Sequence, residues 1–299
     1  MTGQQIAENA LAGMRKGERS RKAGLVFDGL MYAAIAVALV SLTALILQTV
    51  VKGGSGLSLE FFTNFPSRVN PSKSGAQSAI VGTIYLTIIT AVFVIPVGVA
   101  TAVYLEEYAD RSRWWNRLIE VNIQNLAAVP SVVYGILGLA FIVRGPLSLG
   151  PVLLAGGLTL GLLVLPVVII VSREAIRAVP PSIREGALAL GATKWQTVSK
   201  QVLPGALAGI VTGVILSLSR AIGETAPLLV IGAASSPRFD PSGLGDAFSA
   251  LPIQIFTWTQ DPNPEFVSLA ATASIVLLLF LIAMNGIAIF FRNRYEQRW

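Results

Sequence analysis

Long apolar runs separated by short polar segments dominate the pattern of this chain. Six runs reach the roughly 20 residues that a helix needs to cross a hydrocarbon core of about 30 Å. They lie near residues 29–51, 77–105, 119–143, 151–171, 205–232 and 268–291. The polar stretch at 1–28 predicts a mobile tail. The pattern therefore predicts an all-α, polytopic membrane protein with six transmembrane helices, a tail at 1–28 and a transmembrane domain at 29–299.

Composition agrees with this class and excludes several others. Apolar residues make up 54% of the chain and charged residues 13%, whereas soluble domains carry about 25% charge. The chain has no Cys and no His, which excludes disulfides, His-dependent zinc sites and Ser-His-Asp catalysis. No GxxxxGK[ST] motif occurs, so no P-loop nucleotide site is expected. We therefore predict a non-catalytic chain without a metal or cofactor of its own.

Basic residues predict the orientation in the membrane. Sixteen of the 22 Lys and Arg residues fall in the tail, the loops 106–118 and 172–204 and the C-terminal end. Five lie on the other side: Lys52, Arg68, Lys73, Arg144 and Arg238. Both termini are therefore expected on the cytoplasmic side of a plasma (inner) membrane. Because the net charge of +6 comes from these short loops, nucleic acid is not an expected partner, whereas membrane lipid is.

Four of the runs contain an internal proline. These residues are Pro96, Pro130, Pro166 and Pro227. A proline removes a backbone donor and bends a helix, which is tolerated in lipid where neighbouring helices or a cavity satisfy the freed carbonyl. The bends either serve packing or line a path through the membrane.

The outer loop 233–267 is longer than a simple turn. Its apolar residues Phe248, Leu251, Ile255 and Trp258 recur at helical spacing. This spacing predicts a short helix that rests on the membrane surface, faces an extracytoplasmic partner, or does both.

The loop 172–204 predicts two short helices on the cytoplasmic side. After Pro180-Pro181, Ser182 stands three residues before Glu185, which is the spacing of a capping box. Gly191 fits the left-handed residue that ends a helix. Thr193 follows as the expected cap of a second helix through about Gln201, and Pro204 suits the first turn of the next span.

The first of these helices carries small residues at its centre. Gly186 and Ala187 would let another protein approach its backbone closely. An ordinary amphipathic linker between two spans would show the same pattern, so periodicity alone leaves a docking role open.

A charge pair lies inside the fifth apolar run. Arg220 is about fifteen residues into that run, roughly 22 Å along a helix, and Glu224 follows at the favourable i, i+4 spacing. A charge at that depth is costly and indicates function, although a self-neutralising structural pair is the alternative. At about 100° per residue, the pair continues a stripe of small residues suited to close helix packing, formed by Gly205, Gly209 and Gly213.

Guanidinium suits a tetrahedral oxyanion because it donates two hydrogen bonds in a fixed plane and remains charged. A neighbouring carboxylate would hold Arg220 in the absence of the anion and reduce its net affinity. We therefore interpret Arg220 and Glu224 as a candidate gate in a substrate path. Selection of the substrate would then fall to a separate protein.

Three segments resemble a known family. Glu185-Gly186-Ala187, Gly191 and Leu203-Pro204 resemble the EAA–Gly–Leu-Pro loop by which ABC importer membrane subunits bind their ATPase, with Gly186 in place of the usual Ala and Gln201 in place of an aliphatic residue. The segments Val129–Gly135 and Ser219–Leu228 resemble the signature segments of phosphate-importer permeases of the PstA family. The resemblance covers about residues 77–291.

The resemblance implies a function and a set of partners. The function would be that of the membrane-spanning permease subunit of an ATP-driven phosphate importer. The implied partners are a second permease subunit (PstC-like) in a heterodimer, two ATPase subunits (PstB-like) that bind ATP and Mg, and an extracytoplasmic phosphate-binding protein (PstS-like). Residues 182–201 would dock the ATPase, with Ser182, Glu185, Gly186, Ala187 and Gly191 in the coupling element.

Three rival functions are less consistent with the sequence. A proton-coupled secondary anion transporter would need no EAA-type loop. An enzyme acting on lipid phosphates would need a nucleophile or metal cluster, and the chain lacks Cys and His. An importer for another oxyanion, sulfate or molybdate, is disfavoured by the segment Arg220–Pro227.

Overall fold

The computed structural model describes residues 3–110, 112–233 and 237–295. Arg111 and Arg298, which were counted above for orientation, lie outside these ranges. Within the described residues all regular secondary structure is helical, so the predicted all-α fold is confirmed. The α-helices are α1 (Gly3–Gly53), α2 (Leu59–Thr63), α3 (Gln77–Val103), α4 (Trp114–Ala127), α5 (Ser131–Leu137), α6 (Leu153–Arg177), α7 (Pro181–Ala189), α8 (Lys194–Thr197), α9 (Leu203–Gly223), α10 (Ala226–Val230), α11 (Leu251–Thr259) and α12 (Pro264–Tyr295).

Single π-helical turns extend three of these helices. They lie at Tyr104–Tyr108 after α3, at Gly138–Val143 after α5 and at Val198–Val202 between α8 and α9. Such turns are rare and often occur at functional sites. One of the three, Val198–Val202, lies within the 172–204 loop.

Five helical segments of the described chain are long and apolar enough to cross a membrane. They are Gly24–Gly56, Gln77–Tyr108, Leu153–Arg177, Lys194–Gly223 and Pro264–Ile287. The predicted span at 119–143 is instead two helices, α4 and α5, bent by 110°. Counted as one broken span, this pair is the sixth. The break precedes Pro130, because proline disfavours helical geometry at the residue before it.

The predicted span at 205–232 is also interrupted. Helix α9 ends at Gly223, and Glu224 is extended, with φ −79° and ψ 119°. Pro227 lies in the first turn of the separate helix α10, where its missing N–H leaves no helical bond unmade. Of the four prolines within the apolar runs, Pro96 and Pro166 lie inside helices, in α3 and α6.

The chain divides into two units, one up to Val51 and one from Lys52 onward. The first unit is formed by α1, which is helical from Gly3. The backbone thus has no break near residue 28, where the predicted tail would end. The second unit holds the remaining helices and the core.

Helices α3, α6 and α9 form the centre of the second unit. Its core includes Leu86 and Val94 of α3, Val164 and Val168 of α6, and Val214 of α9. Glycines let these helices approach closely: a Cβ added at Gly98 would lie 2.7 Å from the Val168 Cγ1 atom, and one at Gly209 would lie 2.8 Å from the Ala175 Cβ atom. Close backbone approach is the usual means of packing helices in lipid.

The segment before α12 packs into the protein core. Phe248, Leu251 and Trp258 are each at most 2% exposed. The Trp258 ring lies 6.2 Å from the ring of Phe61 in α2. The predicted helix therefore exists as α11, but its apolar face is covered by the protein itself.

Candidate functional site

The first residues of the 172–204 loop belong to α6, and the helix that follows, α7, starts at a different residue from the predicted one. The N-cap is Pro180 and Pro181 occupies the first turn, without a side-chain cap. The predicted capping box of Ser182 and Glu185 is therefore wrong. Proline at the first helical position fixes φ in the helical range, so the helix starts before Ser182. Both Ser182 and Glu185 are exposed.

Helix α7 ends in a Schellman turn at Gly191. The Ala192 N–H donates to the Ala187 carbonyl over 3.1 Å, and the Gly191 N–H donates to the Leu188 carbonyl over 3.0 Å. Gly191 has φ +83°, a left-handed conformation that glycine adopts without strain. The predicted conformation of Gly191 is thus confirmed.

The surface of α7 and the following turn is open to solvent. No heavy atom lies within 4 Å of the position that a Cβ would take on Gly186. Leu190 is 91% exposed and Trp195 is 65% exposed. Large exposed apolar side chains beside an uncovered glycine are suited to contact with another protein.

Helix α8 begins at the predicted cap but does not end where predicted. The Gln196 N–H donates to the Thr193 Oγ1 atom, and the Gln196 side chain accepts from the Thr193 N–H. From Lys194 the chain stays helical to Gly223. The π turn before Pro204 carries hydrogen bonds of i, i+5 type, such as Leu203 N–H to the Val198 carbonyl. This shifted bonding accommodates the missing proline donor, so the break expected near Gln201 does not occur.

A cluster of charges, buried at its centre and partly exposed at its edge, lies where α4, α6, α7 and the π turn after α3 meet. Arg173 of α6 contacts Glu120 over 2.8 Å and Glu106 over 3.5 Å, and its side chain is 8% exposed. Arg177 donates to both carboxylate oxygens of Glu106. Arg184 of α7 donates from Nε and Nη2 to the Glu107 Oε1 atom over 2.9 and 2.8 Å.

Sequence reasoning counted these arginines only as orientation signals. The acidic pair Glu106-Glu107 at the end of an apolar run was the available signal. The pairs join residues up to 77 positions apart, and periodicity within one helix does not show such contacts.

The Arg220–Glu224 pair forms, but not in the predicted setting. Arg220 lies in the last turn of α9, three residues before its end at Gly223. The Arg220 Nε atom is 3.7 Å from the Glu224 Oε1 atom, with the Arg220 side chain 56% exposed and that of Glu224 21% exposed. Glu224 is the residue after the helix and does not continue it. The cation also lies near the last carbonyls of α9, which favour positive charge.

The small-residue stripe leads from a packed region to this open one. Gly209 and Gly213 lie against Ala175 and Val171 of α6, and Gly205 is half-buried. Arg220, further along the same helix, is exposed. One stripe of α9 therefore packs at one end and is uncovered at the other.

Two polar side chains beside Arg220 were missed by sequence reasoning. The Ser219 hydroxyl donates to the Asn285 Oδ1 atom over 2.9 Å, which joins α9 to α12. Asn285 is a lone amide within an apolar run, and that was the available signal. The described residues contain no group of three or more His, Cys, Asp or Glu placed to hold a metal ion.

The two segments with signature-like sequences lie together. A Cβ added at Gly135 of α5 would lie 2.7 Å from the Pro227 Cα atom of α10. The Tyr134 hydroxyl donates to the Leu126 carbonyl over 2.8 Å, which braces the bend between α4 and α5. The broken helix α4–α5 thus supports the short helix that follows the charge pair.

Comparison with known proteins identifies the family. Residues 94–298 match the profile of the binding-protein-dependent transport system inner membrane component. The chain is 32% identical to the probable ABC transporter permease protein YqgI of Bacillus subtilis, over 86% of this chain and 90% of that protein. It is also 32% identical to the phosphate transport system permease protein PstA of Yersinia pestis, over 82% and 81%.

A solved structure has the same fold. A chain of a bacterial alginate ABC transporter, crystallised with its alginate-bound periplasmic protein, superposes with a TM-score of 0.67 at 15% identity, covering 90% of this chain and 96% of that one. Together with the profile match over more than two thirds of the sequence, these relatives show that the chain belongs to the family of inner membrane components of binding-protein-dependent transport systems.

Proposed function

We propose that this chain is the permease subunit of an ATP-driven phosphate importer and forms half of its translocation path. The observation that carries the proposal is the α7–α8 segment. It is an exposed pair of helices, in which a Schellman turn ends α7 and a capping box starts α8. It lies in a chain of this transport family, and the sequence has no nucleotide-binding motif of its own. Energy would therefore reach the path through an ATPase on a separate chain. Similarity to the PstA permease supports phosphate as the substrate.

The proposed assembly has five protein subunits. This chain would pair with a PstC-like permease, and two PstB-like ATPase subunits would bind ATP and Mg. One ATPase would contact the surface around Glu185, Gly186, Ala187 and Gly191. A PstS-like binding protein would deliver phosphate to the opposite side, with no resident cofactor in this chain.

Arg220 and Glu224 are the proposed gate in the path. The Arg220 guanidinium is more than half exposed in the isolated chain, so it is free to meet a substrate or a second permease subunit. Its planar donors fit two oxygens of a phosphate. At 3.7 Å the Glu224 carboxylate is too far for a short hydrogen bond, so an arriving anion could displace it at small cost. The carboxylate would recover the cation after release.

The test is to reconstitute the assembly of these four kinds of subunit in proteoliposomes. We expect an ATPase, a second permease and a binding protein to copurify with this chain in mild detergent. ATP should drive uptake of labelled phosphate, and a tenfold excess of sulfate or molybdate should leave that uptake nearly unchanged. Competition by sulfate or molybdate would reassign the substrate, and uptake driven by a proton gradient without ATP would refute the class.

Orientation is part of the proposal. Both termini and the 172–204 loop would face the cytoplasm, as their basic residues favour. Because the chain has no Cys, single cysteines at positions 194 and 240 can be labelled with an impermeant thiol reagent in intact cells. Position 240 should react and position 194 should not, and the reverse pattern would overturn the orientation.

A further inference from the structure

Arg184 joins three helices at one point. It belongs to α7, and it binds Glu107 in the π turn that extends α3. It also donates from Nη1 to the Val179 carbonyl over 2.7 Å and from Nη2 to the Ile176 carbonyl over 2.8 Å. Ile176 lies in the last turn of α6, and Val179 lies in the short linker between α6 and α7. Each of its three nitrogens therefore holds α7 to another element.

The setting of this contact is nearly closed to water. The Arg184 side chain is 22% exposed and that of Glu107 is 9% exposed. A bidentate-capable guanidinium in such a setting gives a stronger and more directional bond than an exposed ion pair. Positive charge at the C-terminal end of α6 is also favoured by the carbonyl dipoles. We call Arg184, Glu107 and the carbonyls of Ile176 and Val179 the charge latch.

The π turn places the carboxylates for this contact. The Ala109 N–H bonds the Tyr104 carbonyl over 2.8 Å, an i, i+5 bond. Within this widened turn, Glu106 binds Arg173 and Arg177 of α6 while its neighbour Glu107 binds Arg184 of α7. Two adjacent acids thereby serve two different helices.

Helices α7 and α8, which we call the coupling segment, are attached to the rest of the protein in different ways. Helix α8 runs without a break into α9, so it moves with α9 by covalent continuity. Helix α7 is joined to α6 by only Ala178, Val179 and Pro180, and to α8 by the Schellman turn at Gly191. Ile183 packs α7 against the hydrophobic core, and the latch adds directional hydrogen bonds that resist a tilt of α7 on these two short connections.

We propose that Arg184 is a positioning residue that transmits force: the charge latch fixes α7 to the ends of α3 and α6. A push on α7 then moves the packed α3–α6 pair instead of bending the short linker. This inference rests on the proposed function, because it needs an ATPase that pushes on α7. It adds a distinct step, the transfer of that push into the helices of the path.

The first test compares two arginines of the same charge cluster. Arg184→Met removes the arginine of the cluster that lies on α7. Arg177→Met is the control, because it removes a half-exposed arginine that lies on α6 and binds Glu106. In the reconstituted complex we expect Arg184→Met to keep its ATPase and hydrolyse ATP, but to move about tenfold less phosphate per ATP, within the usual range of coupling between sites. Arg177→Met should stay within about twofold of the wild type.

Two further variants should weaken the charge latch to intermediate degrees. Glu107→Gln removes the carboxylate but leaves the carbonyl bonds of Arg184, so it should lose less coupling than Arg184→Met. Arg184→Lys should rescue only in part, because one ammonium cannot present three separate nitrogens. Equal phosphate per ATP in Arg184→Met and the wild type would overturn the proposal, as would loss of the ATPase from that variant, since that result assigns Arg184 to docking.

A cross-link separates force transfer from simple stability. The double variant Glu107→Cys, Arg184→Cys is assembled with partner subunits that contain no cysteine. It should hydrolyse ATP but move little phosphate per ATP. A cleavable thiol cross-linker should restore phosphate per ATP, and its cleavage should remove it again. A confirmed cross-link that leaves transport uncoupled would refute the latch. A wild-type complex that moves no phosphate would instead refute the proposed function, so the two failures are distinguishable.

Discussion

Two groups of charges in this chain differ sharply in their surroundings. In the cluster at the end of α3 and α6, the side chains of Arg173 and Glu106 are 8% and 7% exposed, and each contacts more than one opposite charge. At the end of α9, Arg220 is 56% exposed and lies 3.7 Å from its one described carboxylate partner, Glu224. Both groups pair arginine with glutamate, yet only the first has a buried arginine and a buried glutamate at its centre.

This difference indicates which charges are structural and which are available. Removing one member of a buried pair strands the other, at a cost of about 3–5 kcal/mol. An exposed pair contributes only about 0–1 kcal/mol, so its members can exchange partners freely. The buried cluster thus fixes helices to one another, while Arg220 remains able to meet an anion.

The largest expected effect comes from opening the buried cluster. Arg173→Met removes the most deeply buried arginine of the cluster and the 2.8 Å contact to Glu120, while Arg177 still binds Glu106. It should therefore lower the free energy of unfolding by about 3 kcal/mol, the low end of the cost of breaking a buried pair. The matched control is Arg113→Met, because Arg113 lies 3.5 Å from Asp110 with both side chains more than half exposed, and it should cost at most about 1 kcal/mol. Thermal unfolding in detergent measures both. Equal melting temperatures would show that burial does not distinguish the two groups.

Arg220 should show the opposite balance of stability and activity. Arg220→Gln should cost at most about 1 kcal/mol of stability while it abolishes ATP-driven phosphate uptake in an assembled complex. Arg220→Lys should rescue in part, since Lys lacks the planar two-point donor.

The double variant Arg220→Gln, Glu224→Gln decides between a gate and a structural pair. A gate predicts that the neutral variant stays inactive or leaks phosphate without ATP. Near-normal ATP-dependent uptake would show that the pair only neutralises itself and would remove Arg220 from the substrate path.

Sequence patterns predicted the features that depend on local chemistry. Run length gave the spanning helices because hydrocarbon thickness sets their length. Thr193 and Gly191 were correctly placed because their bonds lie within a few residues along the chain. The same local reasoning failed at Ser182, because Pro180 and Pro181 start the helix earlier in the chain than predicted.

The break at Glu224 and the charge cluster depended on distant parts of the chain, whereas a bend at Pro130 was predicted from the proline itself. The short helices beyond the two breaks, α5 and α10, pack on each other through Gly135 and Pro227. Glu107 meets Arg184 across 77 positions. Tertiary packing decides such contacts, so hydrophobic periodicity predicted neither the break at Glu224 nor the charge cluster.

The smallest expected effect distinguishes two glycines of the exposed coupling segment, which the buried cluster holds in place. Both have open space at the Cβ position, but Gly191 has φ +83° and Gly186 is within α7. Gly186→Ala should therefore stabilise α7 by up to about 1 kcal/mol, the difference in helix propensity. Gly191→Ala should destabilise the turn by about 1 kcal/mol, because a left-handed backbone costs Ala and not Gly. Hydrogen exchange of the α7 amides should slow in the first variant and quicken in the second. Shifts in the same direction would show that contacts, and not backbone conformation, set the stability of this segment.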